Sequence, residues 1–339
     1  MCGCEKQLRM QYIGDDIMYR KEIKVVDCTI RDGGLINKWQ FSHEMVRKVF
    51  LALSAAGVDY MEVGYRASKK LFPPGEFGAW RFSMDEDVRE IVQDTQTNMK
   101  LGVMVDIGRV EEEDIMPCAE SPLDFIRVAT YVKDIDKAID LANHCHQKGY
   151  ETFINIMAIS TATNFELEEG LRQIEAEAPV TAVNIVDSFG SLYSEEIHYL
   201  VKTFKDNLLT HEVGIHAHNN QQLAFANTIE AIRKGANYLD ATVFGIGRGA
   251  GNCPMELLLS FLKNPKFSLE PVLQVIEDVF LPLREKIEWG YIIPYMITGI
   301  LNEHPRSAIA LRQDLEKRDK YAEFYRTMTT PECYEAKVE

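Results

Sequence analysis

The segment IKVVDCTIRDGG, residues 23–34, opens on a β-branched run of strand length and closes on a polar stretch with two glycines. Seven further runs follow: VDYMEV from Val58, KLGVMVD from Lys100, DFIRVAT from Asp124, YETFINIMAI from Tyr150, VTAVNIVD from Val180, EVGIHAH from Glu212 and NYLDATVF from Asn237. Between them lie stretches of helical period. SHEMVRKVFLALSAAG opens at the capping residue Ser42 and stops at Gly57, DIDKAIDLANHCHQKG and QQLAFANTIEAIRKG also end in glycine, and NFELEEGLRQIEAEA is a further stretch of helical period. Strand alternating with helix is the pattern of repeated βα units, and eight strands is the number that closes a barrel. The expected fold is therefore an α/β protein, a TIM (β/α)8 barrel with a C-terminal helical extension. A doubly wound open sheet is the alternative, weakened because no G-x-G-x-x-G follows the first strand.

The chain has 339 residues, of which 46% are hydrophobic and 26% charged, values of an ordinary folded protein. Its 37 basic and 52 acidic residues give a net charge of -15, which argues against nucleic acid and anionic membranes as partners. No apolar run approaches the ~18 residues of a membrane span. Asp15 and Asp16 interrupt the first 25 residues, so neither a signal nor a transit peptide is expected. Seven scattered cysteines form no disulfide framework, which fits a reduced, cytoplasmic protein. Cys2 and Cys4 could chelate a metal but read as incidental on a loose tail.

Three parts are expected: a tail over residues 1–22, the catalytic barrel over 23–264 and the helical extension over 265–339. The apolar content of the extension suggests packing on the barrel or on a second copy, hence a homo-oligomer through these helices. A long aromatic connection, YRASKKLFPPGEFGAWRFS, follows Gly64 and reads as a lid, a substrate wall or a subunit contact.

In a parallel barrel the chemistry sits where the strands end. Strand seven ends in His216 and His218, which share a face of the strand and can aim both rings at one ion. Asp32, beside Arg31 after strand one, is the natural carboxylate to complete a facial site for a divalent cation. The sequence after strand eight, GIGRGAGNCP, carries four glycines suited to close backbone approach or to binding an oxyanion. Arg31, Arg66, Arg127 and Arg248 lie in or just after strands and predict a local cationic mouth for an anionic substrate. Glu62, Asn155 and the pair Asp187-Ser188 are polar residues in otherwise apolar strands. His144, Cys145 and His146 fall within a helical pattern and are assigned to a helix surface.

VVDCTIRDGG, YMEVG, FIRVATY, VDSFG, VGIHAHNN and GIGRGAGNCPMELL, in this order, resemble the metal-dependent carbon–carbon lyase and synthase superfamily typified by HMG-CoA lyase and isopropylmalate synthase. The nearest branch is that of the 4-hydroxy-2-oxovalerate aldolases. The resemblance spans residues 23–262, with a looser echo at WGYIIPY. It implies a barrel enzyme that cleaves a carbon–carbon bond of a small 2-oxo acid through an enolate, with Mn or Mg held by Asp32, His216 and His218. It further implies that Arg31 stabilises the enolate oxygen, that Glu62 lies at the site, and that Tyr291, with Tyr295 as rival, closes over the substrate. Arg127, Asn155, Ser188 and Asn252 are the candidate substrate contacts.

One departure stands out. The aldolase branch carries a catalytic histidine three residues after the motif aspartate, where this chain has Leu35, which cannot move a proton. Two other readings follow: a Claisen-type synthase joining an acyl-CoA to a 2-oxo acid, and a non-catalytic barrel retained as a partner subunit.

Overall fold

Eight parallel strands close on themselves in chain order: β1 Lys24–Asp27, β2 Tyr60–Tyr65, β3 Lys100–Asp106, β4 Phe125–Thr130, β5 Glu151–Ile156, β6 Ala182–Asp187, β7 Glu212–Ala217 and β8 Tyr238–Ala241. The barrel shuts where Val25 pairs with Leu239 and Asp27 with Ala241, which rules out the open sheet. The computed structural model describes residues 20–330, so Cys2 and Cys4 lie outside the described residues.

The two-residue period of the strands builds the interior in layers. Tyr60, Phe125, Phe153 and Tyr238 point inward at the base and pack edge to face, with ring centroids 5.3–5.8 Å apart. Two residues on along the same strands come Glu62, Arg127, Asn155 and Asp240, all buried. An apolar plug thus carries a charged layer above it.

The first strand is shorter than its β-branched run suggests. The Asp27 carboxylate accepts hydrogen bonds from the Thr29 backbone and hydroxyl, and a helix, Thr29–Asn37, begins at once. Gly33 and Gly34 therefore sit in a helix. Ser42 caps His43–Ala55 as expected, its hydroxyl accepting from the Met45 N–H at 3.2 Å. In Ile135–Gln147 His146 is exposed and His144 half-buried, while Cys145 is buried in the core.

The aromatic connection after β2 folds inward behind the barrel wall. Trp80 and Phe82 are buried, and the Arg81 guanidinium lies 4.0–4.7 Å from the rings of Trp39, Tyr65 and Phe72. Beyond the barrel, the helical run from Glu270 packs against His43–Ala55. Ile293–Ile300, Arg306–Gln313 and Tyr321–Thr329 form a small apolar cluster of their own around Tyr295, Ala308 and Phe324. Asn302 ties this cluster to the barrel mouth, accepting from the Ser191 hydroxyl at 2.8 Å and donating to the Ser160 carbonyl.

Candidate active site

At the C-terminal end of the strands, three buried side chains converge. Asp32 comes from the helix after β1, His216 from β7, and His218 from one residue past that strand, where it bridges to Asn252. One ligand atom from each of Asp32, His216 and His218 lies within 4.8 Å of the others. The two imidazoles stand nearly perpendicular with centroids 5.1 Å apart.

The surroundings prepare these groups to hold a cation. His216 Nδ1 donates to Asp240 at 2.9 Å, which leaves its Nε2 buried with no partner among the described residues. A carboxylate behind a histidine is the arrangement that orients metal ligands. Burial pushes the His218 imidazole well below its ordinary value, further than Asp32 pulls it back. Burial alone would raise Asp32, but His218, Arg31 and His216 outweigh it and hold the carboxyl well below the usual range. Two imidazoles and a carboxylate suit a divalent ion. Cys28, His216 and Asp240 also lie close together. That group is already satisfied internally, with the Cys28 thiol pushed up by burial and Asp240 paired to Arg127 at 2.8 Å.

Arg31 is divided three ways. Its Nη1 donates to Asp32 at 2.7 Å and its Nε to Glu62 at 3.0 Å, while Nη2 is buried without a partner among the described residues. Two carboxylates fix the guanidinium, and the remaining donor is left for an incoming oxygen. Glu62 in turn holds Arg127 at 3.2 Å, and Arg127 reaches Asp240 and Asn155.

A cavity of about 700 Å³ opens above this layer and is lined by Arg31, Asp32, His216, His218, Asn155 and Ser188, among others. Asn155 Nδ2 has no partner among the described residues. Glu62 and Arg127 lie beneath the cavity floor and do not line it. Asn252 touches Asp32 Oδ2 from outside at 2.6 Å, and Gly247 makes room for that contact, since a Cβ there would meet both side chains. The glycines after β8 thus serve close packing against a candidate ligand. Arg66 is taken up by Asp85.

Tyr291 is 58% exposed and does not line the cavity; Tyr295 is buried against Gly249. Phe72, Phe77 and Trp80 stand behind the wall, and Tyr65 and Tyr131 are the tyrosines that line it, together with Leu35. Sequence reasoning missed Asp240, Asp106, His304 and Arg306. Asp240 was visible as the lone carboxylate in NYLDATVF, and Asp106 as a strand-end residue, whereas His304 and Arg306 reach the cavity from the extension.

A closed parallel barrel with a buried Asp-His-His group at the mouth defines a class of metal-dependent barrel enzymes. The chain belongs to the HMGL-like family, which residues 22–279 match. This family is divalent-metal dependent. The 4-hydroxy-2-oxovalerate aldolase of Thermus thermophilus is 30% identical over 290 residues, covering 81% of this chain and 82% of its own length. The oxaloacetate decarboxylase of Mycobacterium tuberculosis is 29% identical over 246 residues, covering 72% and 71%. Among solved structures, the N-terminal domain of a Bacteroides vulgatus protein described as an aldolase superposes with TM-score 0.74 at 29% identity, covering 88% of this chain and 99% of that one. The HMG-CoA lyase of Brucella melitensis shares the fold, with TM-score 0.62 at 17% identity over 78% of this chain and 99% of its own.

Proposed function

We propose that this protein is a divalent-metal-dependent carbon–carbon lyase of the aldolase type, acting on a small 2-oxo acid through an enolate. The observation that carries the reading is the convergence of Asp32, His216 and His218 around an unpartnered His216 Nε2. The named relatives are an aldolase and a decarboxylase of 2-oxo acids, which supports the same class. Manganese or magnesium, when bound, supplies Lewis-acid polarisation of the oxo acid's oxygens.

The chain's own residues supply the rest. The free Nη2 of Arg31 donates to the oxygen that gains charge as the enolate forms. Asn155 Nδ2 is a further donor for the oxo acid, and Ser188 also lines the cavity. Glu62 and Arg127 are positioning residues, setting the guanidinium and Asp240 from below. Tyr291, exposed outside the cavity, is a weaker candidate for closing over the substrate than its sequence position suggests.

The exposed apolar residues of the extension, Ile300, Leu315 and Tyr325, support a homo-oligomer formed through it. Cys28, Cys118, Cys145 and Cys253 are free thiols, which supports a cytoplasmic location. No helix among the described residues is long and apolar enough to cross a membrane.

The test is metal content. After loading and desalting, elemental analysis should find about one equivalent of manganese or magnesium per chain, and His216→Ala or His218→Ala should remove it, because a three-ligand site cannot spare one. Unchanged metal content in both variants would end the assignment.

A further inference from the structure

The cavity mouth carries more positive charge than its floor needs. Of the acidic residues lining the cavity, Asp32 is paired with Arg31, Asp106 with Arg109 at 3.1 Å and Asp134 with Lys137 at 2.5 Å. Arg248 and Arg306 also line it, and neither has a carboxylate within ion-pair distance among the described residues. The one side-chain hydrogen bond of Arg248 goes to the Ser188 carbonyl, at 2.8 Å. In a chain of net charge -15, such a cluster is a local feature that costs energy until an anion meets it.

His304 completes the group. Its Nδ1 accepts the Arg306 backbone N–H at 3.1 Å, which leaves Nε2 as the N–H of a neutral ring. Burial, together with Arg248 and Arg306, pushes the imidazole down to about 4, so near neutral pH it adds a donor and no charge. Two guanidinium groups and one imidazole N–H therefore share one end of the cavity. Asn302 pins the segment that carries two of them to the barrel. That segment lies past residue 279, where the family match stops.

The cavity, at about 700 Å³, has the size of sites that enclose drug-sized ligands and exceeds what a three- or four-carbon acid fills. We propose that Arg248, His304 and Arg306 form a second anion subsite, so that the substrate is a 2-oxo acid bearing another acidic group, carboxylate or phosphate, at its far end. This rests on the 2-oxo acid reading for the near end alone.

Calorimetric titration of the metal-loaded protein at fixed ionic strength tests it, with 2-oxobutanoate, 2-oxoglutarate and 4-phosphono-2-oxobutanoate as probes. The two doubly acidic probes should bind at least about tenfold more tightly than 2-oxobutanoate, and the tighter of them identifies the acidic group. Arg306 is exposed at the first residue of its helix, so Arg306→Ala should fold; it should erase that preference, and Arg306→Lys should keep part of it. Equal binding of the three probes, or a preference that survives Arg306→Ala, overturns the proposal. If no oxo acid binds, inorganic phosphate decides. Binding that depends on Arg306 keeps the subsite and defeats the 2-oxo acid reading, whereas absent phosphate binding defeats the subsite.

Discussion

Arg31 shows how much one side chain can be asked to do. Two of its nitrogens donate to Asp32 and Glu62 and the third, Nη2, is buried without a partner among the described residues, so the fork is held with one donor to spare. Lysine has a single charged head and cannot fill three directions. Arg31→Lys should therefore lose about 10²-fold or more in turnover while elemental analysis still finds the metal. Turnover near the parent's would make Arg31 a structural ion-pair partner. Leu35 lines the same cavity without any group to accept a proton. Cleavage of 4-hydroxy-2-oxovalerate should be weak in the parent, and Leu35→His should raise it, since a placed general base contributes about 10²–10⁴-fold. Efficient pyruvate release by the parent would mean that another cavity residue supplies the base, with Asp106 the first to replace.

The helix after β1 carries two site residues, and its position depends on Trp39. The Trp39 indole donates to the Arg31 carbonyl at 2.9 Å, and a Cβ at Gly34 would lie 2.0 Å from the Trp39 ring. Gly34→Ala should displace the indole, cost about 1–3 kcal/mol in urea unfolding and lower turnover as Arg31 shifts. A variant as stable and active as the parent would show that the helix does not depend on that packing. β6 offers a pH test. Asp187 accepts from the backbone of Ser191 and Leu192, yet burial outweighs those bonds and pushes its carboxyl up to about 7. The folded state then holds that proton more tightly than the unfolded one. Its contribution is fullest below the ordinary value near 4 and is lost as pH rises toward 7. Asp187→Asn should gain on the parent by roughly 1–3 kcal/mol between pH 5 and pH 8. A difference that does not change with pH would contradict this.

Across the molecule, one continuous network of charge joins the candidate ligand residues from beneath: Asp32 to Arg31, Glu62, Arg127, Asp240 and His216. A break at any member leaves a buried charge without its partner. The same network couples the layers of the barrel to the site, since Glu62, Arg127 and Asp240 each sit two residues above the aromatic plug. At the other end of the cavity, the helical extension provides His304 and Arg306. Its outer surface leaves Leu315 80% exposed. Light scattering should give the mass of a multimer for the parent and a smaller species for Leu315→Glu; a parent that runs as a single chain would leave this surface without that role.

Local order along the chain determined the barrel, because eight β-branched runs separated by helical periods admit few topologies. It also determined the candidate ligands. His216 and His218 share a strand face by the two-residue period alone, and Asp32 lies at the neighbouring rim. The length of β1 was less legible, since β-branched residues continue past Asp27 and only the carboxylate's bonds to Thr29 turn the chain into a helix. Whether a polar residue lines the cavity or lies beneath it depends on its height in the barrel. That height follows from strand register, which is a relation between distant segments. So Arg127 read as a substrate contact and Glu62 as a residue of the site in one dimension, while in three both are buried and neither lines the cavity. His304 and Arg306 had no strand to mark them; docking of the extension, through Asn302 and through the Asn220 amide on the Tyr295 carbonyl among other contacts, brings them to the mouth.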